Sequence, residues 1–276
     1  MLSSSSSRPP TALTGEERDR YWRDGYVLLR GLIDRETLVR IDARFRALVT
    51  GEATASEGMV LMKDVHFVSG DEQPETPLHA VNKVLSFEED PELWSFATDS
   101  RLLGCVRDLV GPELKTLSTN VFNKPPGVDG RHPLHQDLRY FALRPTDGIV
   151  ASWTAIQPCT RENGCLSVIP ESHLGELFEH GDPDWDEVNF GFFAAQGIDV
   201  DARVHIEMEP GDTILFHPLL VHGSGRNRSQ GFRRSISVHY ASAECERPEG
   251  MRGSRAPKRR IGAAIKDIKP AERSRV

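Results

Sequence analysis

Three side chains carry the chemistry that this sequence suggests. His135 and Asp137 stand two apart in Arg131-His132-Pro133-Leu134-His135-Gln136-Asp137-Leu138-Arg139-Tyr140. In a strand, residues i and i+2 share a face, so the imidazole and the carboxylate would lie side by side, about one ligand spacing apart. Such a pair is two thirds of the 2-His-1-carboxylate set that holds non-haem Fe(II) and leaves coordination positions open. The best candidate for the missing ligand is His222, in Phe216-His217-Pro218-Leu219-Leu220-Val221-His222-Gly223-Ser224-Gly225. His217 and His239 are the alternatives.

An H-x-D pair alone says little in a chain with ten histidines, because core and salt-bridged histidines are common. Two further features strengthen it. His222 follows the apolar run Thr213-Ile214-Leu215-Phe216, opened by Pro210-Gly211-Asp212, which reads as a turn feeding a buried strand. Arg233 then stands just ahead of the strand-like Ser235–Tyr240. A guanidinium binds a carboxylate through two parallel hydrogen bonds, so an arginine fixed beside iron suits a cosubstrate with a free carboxylate.

The elements that must position these groups divide the chain in two. Helical signals dominate up to residue 112. Thr14-Gly15-Glu16-Glu17 fits a capping box. Asp34 caps a second helix that carries Leu38, Ile41, Phe45 and Leu48 on one face and ends at Gly51. Residues 52–80 lack periodicity and read as an irregular cover. Helices starting at Asp90-Pro91 and at Asp99 or Ser100 follow, and Gly111-Pro112 stops the last. From Leu114 the segments 114–123, 133–143, 148–157, 165–169, 203–208, 212–217 and 234–241 read as strands, most of them separated by turn signals. Residues 171–201 interrupt the series and read as an acidic, aromatic surface loop. The fold class expected is mainly β with flanking helices (α+β), its core a jelly-roll-like double sheet enclosing a pocket.

Composition sets bounds. The 276 residues suit one large domain, and 38% hydrophobic residues supply a core. No run approaches a membrane span, and the Ser-rich start lacks the apolar stretch of a signal peptide. The four cysteines, 105, 159, 165 and 245, form no zinc pattern and read as buried thiols of a reducing compartment. The net charge of −7 is uneven: residues 246–276 carry ten Lys/Arg against four Asp/Glu. With no aromatic residues among those cations a stacking platform for bases is missing, so the tail reads as a solvated arm and nucleic acid is not expected as a partner. The domain layout is therefore a disordered arm at 1–13, one domain over 14–245 with its jelly roll at 113–243, and a basic tail at 246–276. A monomer is compatible with these features.

Longer motifs add a resemblance. His132-Pro133-Leu134-His135-Gln136-Asp137-Leu138-x-Tyr140-Phe141, Trp153-Thr154-Ala155, His217 to Gly225 with Asn227, Gln230-Gly231-Phe232-Arg233 and Asn123-Lys124-Pro125-Pro126 together resemble the phytanoyl-CoA dioxygenase family of Fe(II)/2-oxoglutarate-dependent oxygenases. The likeness spans roughly Gly25 to Ala243 and includes residues without catalytic duty. It implies a double-stranded β-helix fold, with His135, Asp137 and His222 on iron and Arg233 and Ser224 on the distal carboxylate of 2-oxoglutarate. It also implies Lys83, Trp153 and Asn120 around the cosubstrate. The cofactors implied are Fe(II), 2-oxoglutarate and O2, with ascorbate as an auxiliary reductant.

The reaction implied is hydroxylation at C2 of a branched acyl-CoA, with release of succinate and CO2. The basic tail, Arg139 and Arg144 are candidates for the CoA phosphates, although a surface salt bridge is the plainer use of either arginine. Arg139 itself stands where the family has His. Because adjacent strand residues face opposite ways, Arg233 inside places Arg234 outside, where its loss should matter little. His132, His217 and His239 are read as supporting or core residues. A hydroxylase of a small polar or natural-product substrate, and a non-catalytic sensor, are the alternatives. The expected compartment is cytoplasmic, or peroxisomal in a eukaryote, since Ser274-Arg275-Val276 is near a peroxisomal tripeptide but does not equal it.

Overall fold

The computed structural model describes residues 12–68, 73–186, 188–250 and 259–262. Local signals set the helices. Helix α1 (Gly15–Asp24) has the full Thr14/Glu17 capping box and ends at Gly25, whose φ of 83° few other residues adopt. Strand β1 (Tyr26–Leu29) leads to α2 (Arg35–Thr50), capped by Asp34 and closed by Gly51. The stretch expected to be an irregular cover instead contains β2 (Val60–Lys63) and α3 (Pro77–Ala80). Next come β3 (Val81–Leu85), α4 (Pro91–Ala97) and α5 (Ser100–Val110), the last two capped by Asp90 and Asp99.

The β half comprises β4 (Leu114–Lys124), β5 (His132–His135), β6 (Ile149–Ala155), β7 (Leu166–Val168), β8 (His180–Gly181), β9 (Ala194–Ala195), β10 (Val204–Ile206), β11 (Thr213–Phe216), β12 (His222–Ser224) and β13 (Arg233–Ser242). A short β14 (Arg259–Ile261), within the segment expected to be tail, pairs with β4. The larger sheet runs β1-β11-β6-β13-β4-β3-β2, the smaller β10-β7-β12-β5, and their pairings are antiparallel. The result is a jelly roll of two facing sheets with helices against the larger one.

Alternation along the strands sorts the core into two layers. Ile236, Val238 and Tyr240 of β13 pack with Phe45 of α2, Phe96 of α4 and Leu103 of α5. Trp153, Ile214 and Phe216 face the other way and pack against Leu166, Val168 and Ile206 of the smaller sheet. The space between the sheets is where the inward polar residues must lie.

One expected strand is cut short. The segment expected to be extended over 133–143 is extended only to His135, then turns into a single 3-10 turn over Asp137–Tyr140. The amide N–H of Leu138 donates to Pro218 O (2.9 Å), and the Gln136 side chain donates to Leu219 O (2.7 Å). Satisfying these groups on the chain that leads into His222 outweighs continuing a strand. Of the N-terminal arm, residues 1–11 lie outside the described residues. Leu13 is buried, and its N–H donates to Asp108 Oδ2 at 2.6 Å. Most of the basic tail also lies outside the described residues.

Candidate metal centre and cosubstrate chamber

His135 ends β5 and His222 begins β12, and the two are direct cross-strand partners. Gly223 makes the close approach possible: a Cβ there would stand 2.8 Å from His132 O and 2.9 Å from Pro133 O. Asp137 enters from the 3-10 turn. One ligand atom from each of His135, Asp137 and His222 falls within 4.8 Å of the other two, and all three residues are buried. His135 Nε2 is 3.4 Å from Asp137 Oδ1, and His222 Nε2 is 3.7 Å from Oδ2. Each imidazole has its other nitrogen at a backbone carbonyl: His135 Nδ1 at Pro133 O (2.8 Å), His222 Nδ1 at Leu220 O (3.0 Å). A carbonyl only accepts, so both Nδ1 atoms carry the proton and both Nε2 lone pairs point to the common centre.

The third group is held by a residue expected to be supporting. His239 Nε2 donates to Asp137 Oδ2 at 2.7 Å. Burial alone would raise the Asp137 carboxyl, but the imidazoles of His239, His222 and His135 outweigh it and hold it well below the usual carboxylate range. Burial lowers His222 to about 4, so it stays neutral and ligand-ready at pH 7. His132 stacks on His135 (4.4 Å between centroids) and on Phe192 (3.9 Å).

The chamber beside these groups has a volume of about 50 Å³. Arg233 reaches into it from β13, 2% exposed. Its Nη1 donates to Ser235 Oγ (3.2 Å) and its Nη2 to Gly164 O (3.0 Å), while Nε has no partner. No carboxylate of the described residues forms an ion pair with it, and burial lowers its pKa. A buried guanidinium without a counter-ion is costly unless an anion joins it. Trp153 lies under it, 5.4 Å from ring centroid to Cζ, and Ser224 lines the same space.

Lys124 is a second buried cation here, in a motif to which the sequence reading attached no role. Its Nζ donates to Gly225 O and Ser224 O, and burial together with Arg233 pushes it well below the usual lysine range. Its place follows from parity in β4, since Lys124, Phe122 and Asn120 share a face. Lys83 sits at the edge, its Nζ 4.8 Å from both the Phe122 and Phe192 rings. Asn120 lies deeper, donating to Ser118 Oγ (3.1 Å), and is not among the residues lining the chamber.

Three expectations change. Arg234 does face away from the chamber, but α2 covers it. It is fully buried, donates to Asn123 Oδ1 (3.1 Å) and to Asp42 Oδ1, and stacks on Phe45 and Phe232. Arg139 stacks on Phe193, and Arg144 donates to Leu143 O, so neither forms the salt bridge expected of it among the described residues. The 171–201 segment is more than a surface loop. Asn189 is buried and donates to Asp64 Oδ2 (2.9 Å), and Phe192 walls the chamber.

The family model for phytanoyl-CoA dioxygenase (PhyH) matches residues 21–235. The chain belongs to the phytanoyl-CoA dioxygenase family. A probable phytanoyl-CoA dioxygenase of Caenorhabditis elegans is 38% identical over 256 residues, covering 90% of this chain and 81% of the relative. The peroxisomal phytanoyl-CoA dioxygenase of Homo sapiens is 41% identical over 238 residues, covering 84% and 70%. Among solved structures, EvdO2 from Micromonospora carbonacea var. aurantiaca complexed with 2-oxoglutarate superposes with a TM-score of 0.68 at 20% identity, covering 86% of this chain and 94% of that one, and shows the shared fold. As a phytanoyl-CoA dioxygenase family member the chain is an iron- and 2-oxoglutarate-dependent dioxygenase, and the His135, Asp137, His222 cluster is its candidate iron site. No helix among the described residues is long and apolar enough to cross a membrane.

Proposed function

We propose that His135, Asp137 and His222 hold Fe(II) and that Arg233, with Ser224, Lys83 and Trp153, holds 2-oxoglutarate for C2 hydroxylation of a branched acyl-CoA. Asn120 would act only from the deeper layer of the same face. The observation that carries this reading is one chamber with a converging two-nitrogen, one-carboxylate donor set and a buried guanidinium without a carboxylate partner among the described residues. The donor set suits non-haem Fe(II), and the open Nε of Arg233 suits an incoming carboxylate.

Iron with 2-oxoglutarate and O2 supplies an oxidant that converts C–H to C–OH, one oxygen atom going to the substrate and the other to succinate as CO2 leaves. The chain's own groups do the rest. Backbone carbonyls fix both imidazoles in the Nδ1–H form. His239 holds one oxygen of Asp137 and so sets the direction of the other. Arg233, at the start of β13, would hold the distal carboxylate of the cosubstrate. Phe216, Leu166 and Phe192 line the chamber and exclude water.

His135→Ala, Asp137→Ala and His222→Ala should each abolish turnover and lower Fe(II) affinity by roughly tenfold or more. Turnover that survives in His222→Ala would reassign the third ligand. Mass spectrometry of products from phytanoyl-CoA and from the free acid tests the substrate: hydroxylation of the thioester at C2 is expected, with the acid much poorer. Activity on a polar solute with neither of these turned over would move the protein to another substrate class.

A further inference from the structure

A second, much larger cavity of about 770 Å³ adjoins the chamber, and His132 and Ser224 line both. It lies against the outer side of the smaller sheet, where Leu134, Ser167 and His205 point, and residues from 182–185 and 194–200 form its other wall. Five arginines line it, Arg131, Arg161, Arg203, Arg226 and Arg228, against two acids, Asp182 and Asp184. Asp129 already pairs with Arg131 (2.7 Å) and with Arg226 (3.0 Å). Arg161, Arg203 and Arg228 are exposed and form no ion pair among the described residues. They come from three separated stretches of chain, so the tertiary fold alone gathers them. Trp185 lines the same cavity, with Arg131 Cζ 4.3 Å from its ring centroid.

We infer that this cavity is the subsite for the phosphate-bearing nucleotide end of an acyl-CoA, with Arg161, Arg203 and Arg228 as its main anion contacts. The inference rests on the acyl-CoA reading of the proposed function. Two physical points carry it. The inner chamber, at about 50 Å³, is far too small for an acyl-CoA, so the bulk of such a substrate must lie outside it, and the two spaces meet at His132 and Ser224. Guanidinium forks suit phosphate oxygens, and an indole offers a face on which a purine can stack. The basic tail, Arg139 and Arg144 are not needed for this duty.

Free coenzyme A is the probe. Calorimetry on the full-length, iron-loaded protein should show it binding, more weakly as salt rises. The triple variant Arg161→Ser/Arg203→Ser/Arg228→Ser should bind it about a hundredfold less tightly. The same variant should raise the KM for phytanoyl-CoA to a similar degree while the KM for 2-oxoglutarate does not move. Arg203→Glu alone should weaken coenzyme A by about tenfold, which keeps the test open if the triple variant is poorly folded. Coenzyme A binding that is absent in the wild type, or unchanged in both variants, overturns the subsite. A wild type that binds coenzyme A through these arginines yet hydroxylates no acyl-CoA would leave the subsite standing and sink the proposed reaction instead.

Discussion

Arg233 and His239 show how much hangs on single side chains. Arg233 is a charge held in a dry space by two neutral acceptors. In Arg233→Ala the KM for 2-oxoglutarate should rise by roughly ten- to a thousandfold, as expected for two charge-assisted bonds lost from a buried site. Arg233→Lys should recover only part of this, because an ammonium lacks the planar fork. Anaerobic titration of the Fe(II) protein with 2-oxoglutarate measures both, and an unaltered Arg233→Ala would remove the assignment. His239 acts one bond further out, through Asp137 Oδ2. His239→Leu keeps the volume but leaves that oxygen without its donor, so Fe(II) affinity should fall by about tenfold or more. His239→Gln, which can still donate, should fall less. Equal losses in the two would mean that His239 matters for packing and not for its hydrogen bond.

At the scale of elements, β13 is the part on which both faces of the larger sheet depend. Its odd-numbered residues Arg233, Ser237 and His239 line the chamber, and its even-numbered ones meet the helices. Arg234 belongs to the second set. It joins β13 to β4 through Asn123 and to α2 through Asp42. Breaking a buried ion pair by removing one partner leaves an uncompensated group, at a cost of about 3–5 kcal/mol, discounted here because Asp42 is partly exposed. Arg234→Ala should therefore lower the melting temperature by several degrees while the 2-oxoglutarate affinity stays near that of the wild type. Scanning calorimetry beside the anaerobic titration decides it, and an unchanged melting temperature would show that α2 does not depend on this tie.

For the molecule as a whole, His217 links stability to pH. It joins three parts of the chain, with its ring 6.5 Å from Trp22 of α1, 5.4 Å from His173, and its Nε2 3.3 Å from Asp147 Oδ1. Burial lowers it to about 4, a shift that the hydrogen bond to Asp147 only partly opposes. An unfolded chain would protonate the same group near 6.5. Between those values the unfolded state holds more protons, so the stability contributed is complete above about pH 6.5 and is lost as pH falls towards 4, by up to about 3 kcal/mol. Denaturant melts at equal metal loading should show this slope in the wild type and a flatter one in His217→Asn. Identical slopes would assign the acid sensitivity to other groups.

The sequence by itself determined the candidate ligand types, their order and most of the short-range elements around them. The caps at Thr14, Asp34, Asp90 and Asp99 are short-range hydrogen bonds and were legible as such. Strand parity likewise separated Arg233 from Arg234 once one of them was assigned inward. Parity does not say what covers the outer face, so from sequence Arg234 reads as a surface charge, whereas in the fold α2 lies over it. The same limit hid β2 and β3: β3 is a strand because it pairs with the edge of β4, and β2 because it pairs in turn with β3. The turn at Asp137–Tyr140 was hidden because its stabilising acceptors, Pro218 O and Leu219 O, are some eighty residues away. The arginines of the outer cavity come from segments separated in the chain, and long-range packing alone brings their charges to one wall. Side-chain chemistry and short-range bonding are written in neighbouring residues, whereas burial and pairing between distant segments exist only once the chain has closed on itself.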